Sequence, residues 1–161
     1  MTAVLAGACA LALTVLAVVV LAVVVLRRRV VVVSVNGPSM APTLRHGDRV
    51  LVRRTTGVTP ARGDIVVVSE PGPCRPGAPA GASDPSLVVK RVVAVAGDAE
   101  PDFLPGWARR PEGVVRAGEL IVLGDNPESS WDSRQFGAVR AEQVLGVVLR
   151  PLKNPMERKR P

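Results

Sequence analysis

Histidine and cysteine are nearly absent from this sequence of 161 residues. The one histidine, His46, lies in the turn-like stretch 45–48, where we interpret it as a solvent-exposed residue. The two cysteines are Cys9, in an apolar run, and Cys74, in a loop rich in proline and glycine, so we expect no disulfide between them. These absences exclude a zinc site and a triad built on histidine, and we expect neither a metal nor a cofactor.

Aromatic residues are also scarce, with two tryptophans, two phenylalanines and no tyrosine. The formal net charge of +7 comes from the ends of the chain, because residues 1–35 carry +3, residues 150–161 carry +4, and residues 36–149 hold 13 basic and 13 acidic side chains. A neutral central region with few rings for stacking lacks the basic face that binds nucleic acid. We therefore expect no nucleic-acid partner. The basic ends suit anionic lipid headgroups, with simple solvation an equal alternative for the C-terminal tail.

No charged side chain occurs in the first 26 residues. A helix from Ala3 to Leu26 would be about 36 Å long, enough to cross a hydrocarbon core of about 30 Å. A cleaved signal peptide fits less well, because no basic segment precedes the apolar run and Arg27, Arg28 and Arg29 close it. The sequence therefore predicts a single transmembrane helix, within an anchor and basic flank at residues 1–29.

After residue 29 the sequence shows no long helical periodicity, and short β-branched runs bounded by Gly, Pro or Asp follow one another. The predicted strands are Val30–Val35, Arg49–Arg53, Ile65–Ser69, Leu87–Ala96, Val114–Val115, Glu119–Leu123 and Val144–Leu149. Residues 71–85 and 99–113 are predicted loops. The fold class is therefore mainly β, with a compact β domain at 30–149 following the transmembrane helix and a basic C-terminal tail at 150–161.

Lysine is rare, since only three of the 21 basic residues are lysines and two of these, Lys153 and Lys159, lie in the tail. Lys90 is the single lysine of the predicted domain and lies in an apolar strand. Burial among aliphatic side chains lowers a lysine pKa, and a neutral lysine can activate a serine hydroxyl. From composition alone, an exposed strand lysine is the better-supported interpretation.

Four separated blocks resemble, in the same order, the motifs of the type I signal peptidases. They are NGPSMAPTL at 36–44 with Gly47-Asp48, RGDIV at 62–66, KRVV at 90–93 with Gly97-Asp98, and GDNPESSWDSRQFG at 124–137. This resemblance implies a membrane-anchored serine endopeptidase with a Ser/Lys dyad and reverses the interpretation of Lys90. The short gap from Lys90 to Gly124 indicates a compact, single-anchor form without the extra β domain of larger relatives.

Residue by residue, the resemblance assigns Ser39 as nucleophile, Lys90 as general base and Ser130 as the hydroxyl that orients the lysine. A sharp backbone before Ser39 leaves its N–H free to face an oxyanion, while a second donor stays unassigned because glycine stands where some relatives have a hydroxyl residue. Two carboxylates and two guanidiniums are expected to form bidentate pairs beneath the site. The residues expected to support the site are Gly37, Met40, Pro42, Arg91, Asp125, Asp132 and Arg134.

The resemblance also implies the partners, which are a lipid membrane and the signal peptides of exported preproteins, cut after small residues. An extended substrate segment would add to a strand edge, with walls from Val35–Met40 and Leu87–Val89. The expected location is the cell membrane, single-pass, with the catalytic domain on the extracytoplasmic side. Arg27, Arg28 and Arg29 conflict with this orientation, because basic flanks usually stay in the cytoplasm.

Three alternatives stay open. A peptidase dedicated to one specific precursor would share the chemistry and the compact size. A cytosolic self-cleaving repressor would share the Ser/Lys dyad, although it would need a DNA-binding domain where the anchor is predicted. A catalytically inactive, membrane-tethered module that binds signal peptides would have no reason to retain Ser39, Lys90 and Ser130 together.

Overall fold

The computed structural model describes residues 13–23, 29–54, 59–69 and 87–152. Within these residues, strands form one antiparallel sheet in the order β1-β2-β7-β3-β4-β5-β6. The strands are β1 (Val30–Ser34), β2 (Arg49–Arg54), β3 (Ile65–Ser69), β4 (Leu87–Val95), β5 (Glu119–Leu123), β6 (Val139–Arg140) and β7 (Val144–Leu152). Short 3-10 helices at Pro127–Ser129 and Ala141–Gln143 and a helix at Ser133–Phe136 lie between the later strands. The predicted mainly β fold is confirmed.

Near the N-terminus, residues 13–23 are helical and their side chains are exposed. In the part of the chain that the structure describes, no helix is both long and apolar enough to cross a membrane. Residues 3–12 and 24–26 of the predicted transmembrane helix lie outside the described residues. The membrane anchor therefore stays a prediction.

Most predicted strands agree with the observed ones to within a residue or two, and three differences concern short or terminal segments. Val114 and its neighbour do not form a strand, because Val114 makes only an isolated bridge to Ala99. The two-residue strand β6 has no counterpart in the prediction. Strand β7 continues to Leu152, three residues beyond the predicted end. The predicted loop at 71–85 lies outside the described residues.

Valine builds the core on both faces of the sheet. Along β3 the buried Val66 and Val68 join one cluster of apolar side chains, and the intervening Val67 joins another. This follows from the two-residue period of a strand, which places alternate side chains on opposite faces. A strand that is buried on both faces has a continuous run of apolar residues, and the sequence of β3 shows such a run.

The segment after β1 is attached to this core by large apolar side chains. Val35, Met40 and Leu44 are buried in the same cluster as Val50 and Val67. Burying each such side chain contributes about 1.5–3 kcal/mol. Ser39, next to the fully buried Met40, is therefore presented from a segment that packing holds in place.

Strand β4 has one partly open edge. It pairs with β3 over Leu87 to Arg91, whereas its pairing with β5 begins only at Arg91. Among the described strands, none pairs with Leu87 to Val89 on the β5 side. An unpaired strand edge presents backbone N–H and C=O groups to whatever lies beside it.

Candidate active site

Lys90 lies in the middle of β4, and its side chain is buried at 2% relative exposure. Strand alternation places it on the same face as Val88 and Val92, which pack in an apolar cluster, and places Arg91 on the opposite face. The Lys90 Nζ donates a hydrogen bond to the Ser130 Oγ at 2.9 Å. The lysine is therefore held in an apolar environment by a hydroxyl from the distant block 124–137.

Ser130 is in turn fixed by Asp132. The Ser130 hydroxyl donates to the Asp132 Oδ2 at 2.6 Å, and the Gly124 backbone N–H donates to the same oxygen at 2.9 Å. Since the hydroxyl proton of Ser130 is directed to Asp132, a lone pair of its oxygen is left to accept from Lys90. The two bonds therefore give the Ser130 hydroxyl a defined direction.

Asp132 is fully buried and ionised. Burial by itself raises the pKa of its carboxyl, but hydrogen bonds from Arg134, the Gly124 N–H and Ser130 outweigh burial and hold the pKa below its ordinary value. Arg134 forms a salt bridge to Asp132, with the Nη2 and Oδ2 atoms 2.7 Å apart. The guanidinium compensates the negative charge, so the pair next to Ser130 is neutral as a whole.

Asp132 also begins the helix Ser133–Phe136. Its side chain accepts from the Arg134 backbone N–H, and the Gln135 side chain accepts from the Asp132 N–H, which completes a capping box. Ser133 adds a tie to the sheet, because its hydroxyl accepts from the Val122 N–H of β5 at 2.9 Å. The local sequence Asp-Ser-Arg-Gln thus locks the end of the block that carries Ser130.

A second bidentate pair joins β4 to the same block. Arg91 donates from Nε to Asp125 Oδ1 at 2.8 Å and from Nη2 to Asp125 Oδ2 at 2.6 Å. These hydrogen bonds lower the pKa of Asp125 although burial opposes them, and a hydrogen bond from Thr43 lowers it further. Thr43 belongs to the block around Ser39, so Asp125 connects three of the blocks.

Ser39 lies on a turn between β1 and β2 and is held from the C-terminal side by Asn126. The Asn126 backbone N–H donates to the Ser39 carbonyl oxygen at 3.0 Å, and its Nδ2 donates to the Pro38 carbonyl oxygen at 3.3 Å. Before the serine, Gly37 has a φ of +92°, which glycine adopts without strain. After it, Met40 is buried and the Ala41–Pro42 peptide bond is cis.

A cavity of about 280 Å³ lies between the segment that carries Ser39 and the strand that carries Lys90. Both Ser39 and Lys90 line it, as do Leu87–Val89 and residues 35–39 of the segments predicted to form substrate walls, whereas Met40 is buried in the core. Its lining residues are Ser34, Val35, Asn36, Gly37, Pro38, Ser39, Leu87, Val88, Val89, Lys90, Ser129 and Trp131. The cavity therefore lies where the sheet curls so that the end of β1 approaches the open edge of β4.

Comparison with known proteins agrees with this arrangement. A family model described as "Signal peptidase, peptidase S26" matches residues 8–99 and 102–152. The chain belongs to this family. The family predicted from the four sequence blocks is thus confirmed, and it is a family of hydrolases that cut peptide bonds.

Relatives come from mitochondria and from bacteria. "Mitochondrial inner membrane protease subunit 1" of mouse is 34% identical over 122 residues, covering 73% of this chain and 66% of that protein. "Mitochondrial ATP-independent inner membrane protease subunit 1b" of Arabidopsis is 37% identical over 120 residues, covering 70% of this chain and 64% of that protein. "Signal peptidase IB" of Staphylococcus aureus is 29% identical over 154 residues, covering 71% and 73%. The chain thus spans about two thirds of the length of the mouse and Arabidopsis proteins.

The residues predicted from the signal peptidase motifs fall into three groups. Lys90, Ser130, Asp132 and Arg134 form one continuous chain of hydrogen bonds. Gly37, Ser39, Met40 and Pro42 lie on the facing turn, and Arg91 with Asp125 stands on the other face of β4. The roles of the individual side chains in catalysis stay predictions.

Sequence reasoning missed three residues of the site. Gly124, interpreted as a turn residue, is buried where a Cβ would lie 2.5 Å from the Ser39 carbonyl oxygen and 2.6 Å from the Ser130 Cβ. Asn126 was given no role, although it holds both Pro38 and Ser39. The exposed His46 accepts a hydrogen bond at Nδ1 from the Gly37 N–H at 3.1 Å. No local sequence pattern reports such contacts, because their partners are distant in the sequence.

Proposed function

We propose that the chain is a membrane-bound serine endopeptidase that removes N-terminal signal peptides from exported preproteins, cutting after small residues. Ser39 is the nucleophile and Lys90 the general base. The observation that carries the proposal is that Ser39 and the buried Lys90 line one cavity, with the Lys90 Nζ held by Ser130. Membership of the signal peptidase family and the membrane proteases among the relatives support it.

Burial equips Lys90 to act as a base. Desolvation disfavours a charged ammonium group, and Lys90 is buried at 2% exposure. The carboxylate of Asp132 would oppose this effect, but Arg134 neutralises it within the same cluster. A neutral amine that donates one N–H to Ser130 keeps a lone pair for the Ser39 proton.

The reaction then proceeds in two steps. The Ser39 Oγ attacks the scissile carbonyl carbon while its proton passes to the Lys90 Nζ, and the leaving amine takes that proton as the peptide bond breaks. Water next gives a proton to Lys90 and attacks the ester on Ser39. As the ester bond breaks, that proton passes from Lys90 to the Ser39 Oγ, and the signal peptide leaves with a C-terminal carboxyl group. Each proton accepted by Lys90 is returned, so the enzyme ends unchanged.

The cavity suits an extended substrate with small apolar side chains. Leu87 to Val89 offer an open strand edge, to which a peptide can add by backbone hydrogen bonds. Among the described residues that line the cavity, Lys90 is the one with a charged side chain. The aliphatic wall of β4 and the ring of Trp131 restrict the size of the side chains that enter.

A peptidase dedicated to a particular precursor is the second candidate function. The mouse, human and Arabidopsis relatives are named as subunits of inner membrane proteases, whereas the Staphylococcus aureus relatives are named signal peptidases. The same Ser39 and Lys90 serve both functions. Cleavage of several unrelated preproteins by the purified enzyme favours the general function, and cleavage of one alone favours the dedicated function.

The test is cleavage of a preprotein by the full chain in detergent or lipid, comparing Ser39→Ala and Lys90→Arg with wild type. Both variants should lose cleavage, since the first removes the nucleophile and the second introduces a guanidinium, which keeps its charge and does not accept a proton. Ser34→Ala is the matched control, because Ser34 lines the same cavity but has no assigned role. A Ser39→Ala or Lys90→Arg enzyme that cleaves normally would overturn the Ser/Lys mechanism.

A further inference from the structure

The turn that carries Ser39 is tied to the turn before β2 by a short ladder of hydrogen bonds. The Val35 N–H donates to the Asp48 carbonyl oxygen at 2.8 Å, and the Gly47 N–H donates to the Val35 carbonyl oxygen at 2.9 Å. Two residues further along, the Gly37 N–H donates to the His46 Nδ1 at 3.1 Å. In the third contact an imidazole nitrogen thus takes the place that a backbone carbonyl holds in a sheet.

Gly37 has a backbone conformation in this turn that side-chain packing does not fix. It adopts a φ of +92°, and a Cβ at this position would meet nothing within 4 Å, so packing does not restrain it. The residues on its C-terminal side are restrained, because the ring of Pro38 fixes its own φ, and Asn126 binds the carbonyl oxygens of Pro38 and Ser39. On the N-terminal side the backbone bonds of Val35 end two residues earlier, and His46 holds the N–H of Gly37 itself.

We propose that His46 is a positioning residue for Ser39. Its neutral imidazole, with the proton on Nε2, accepts the Gly37 N–H and fixes the backbone direction from which the Ser39 hydroxyl is presented. This inference rests on the proposed role of Ser39 as nucleophile. His46 makes no contact with the reacting atoms, so it acts on rate through geometry.

The bond to His46 also bears on the oxyanion site. Because the Gly37 N–H is directed at the imidazole, it is not a donor for the developing oxyanion. The Ser39 N–H keeps the role expected from the sequence, and a second donor has to come from elsewhere than Gly37. The Gly37 N–H therefore binds His46, whereas the Ser39 N–H is left to face the oxyanion.

Two substitutions of His46 distinguish the effect of its hydrogen-bond acceptor from the effect of its imidazole ring. In His46→Asn the carbonyl Oδ1 takes nearly the place of Nδ1 and can accept the same hydrogen bond, whereas His46→Leu puts a methyl group there. The full-length enzyme in detergent or lipid is compared by kcat, KM and thermal unfolding on one preprotein. Arg45→Ala is the matched control, because Arg45 is exposed in the same turn and its side chain has no role in the proposal.

His46→Leu should lower kcat by about 2- to 10-fold, the factor that one hydrogen bond of ordinary net strength gives. KM should stay within about twofold, since the β4 wall at Leu87 to Val89 is untouched and contributes the strand edge that binds the substrate backbone. His46→Asn should restore kcat to within about twofold of wild type, and Arg45→Ala should match wild type. If His46→Leu does not fold, His46→Ala serves in its place because it also lacks the acceptor.

A His46→Leu enzyme with wild-type kcat, or a His46→Asn enzyme as slow as His46→Leu, would overturn the inference. A change confined to KM would do the same, because it would place His46 in substrate binding. The proposed function is judged separately by Ser39→Ala. If Ser39→Ala is inactive and His46→Leu is normal, only the role of His46 fails, whereas an active Ser39→Ala removes the basis of both.

Discussion

Adding a single methyl group at Gly124 should disable the candidate site more than any other change of that size. Gly124 follows β5 and is buried between the turn of Ser39 and the side chain of Ser130. A Cβ would lie 2.5 Å from the Ser39 carbonyl oxygen, 2.6 Å from the Ser130 Cβ, and closer still to the Ser130 Oγ. The closest approach that real Cβ atoms make is 3.0 Å, so both neighbours must retreat.

This displacement moves the two groups that align Ser39 with Lys90. One is a backbone atom hydrogen-bonded to the Asn126 N–H at 3.0 Å, and the other belongs to the hydroxyl that holds the Lys90 Nζ. Since the two move apart, Ser39 and Lys90 separate by roughly 1 Å, and a misplacement of that size costs about 100-fold in rate. Overpacking of this kind also destabilises by about 1–3 kcal/mol.

The assay is preprotein cleavage together with thermal unfolding of Gly124→Ala. We expect kcat/KM to fall by about 100-fold and Tm to fall by several degrees. Gly106→Ala is the neutral control, because its Cβ meets nothing within 4 Å and its φ is not positive. Gly146→Ala is the control for stability, since its Cβ would press on Arg53 and Val52 in the sheet and not on the site. A Gly124→Ala enzyme with wild-type kcat/KM would refute the reasoning.

Acid should unfold the domain through Asp125 and Asp132, whose pKa values both lie below the ordinary range. Such carboxylates stabilise the fold above about pH 4 and lose that contribution as pH falls through their folded-state pKa values, so Asp125→Asn should lower Tm at pH 7 and flatten its fall in acid. An equally steep fall would contradict this. In the cavity, Trp131→Ala should raise kcat/KM by about 10-fold or more for peptides with Val or Leu in place of Ala at one position near the cut. Trp107→Ala, which removes a ring that is 71% exposed and outside that cavity, should leave the same peptide series unchanged, and identical profiles for both variants would contradict the role of Trp131.

The fold was predictable from local features of the sequence, because β-branched runs and Gly-Asp turns report strands directly. Strand β6 escaped prediction since two residues, Val139 and Arg140, carry no measurable pattern. The isolated bridge at Val114 shows the converse, because a β-branched pair without a neighbouring strand does not extend. Strand pairing, unlike strand propensity, depends on residues far away in the sequence.

Some features of the candidate site could likewise be predicted from the sequence, and others could not. The resemblance to the signal peptidases pointed to Ser39, Lys90 and Ser130, and the burial of Lys90 accords with its apolar neighbours in the sequence. Composition alone favoured an exposed lysine, which was wrong because the alternation of a strand leaves the face undecided until its partners are known. The space around Gly124 and the bond from Gly37 to His46 depend on how separate turns approach one another. The distance between turns that are far apart along the chain cannot be predicted from a local sequence pattern.

The open edge of β4 has a consequence for the precursor as well as for the enzyme. In the proposed function, Leu87 to Val89 bind a substrate by backbone pairing, which needs an extended segment with free N–H and C=O groups. A helical or folded cleavage region has already used those groups internally. The precursor must therefore be locally unfolded around its cut site before Ser39 reaches it, and cleavage then reports that this stretch has become an extended chain.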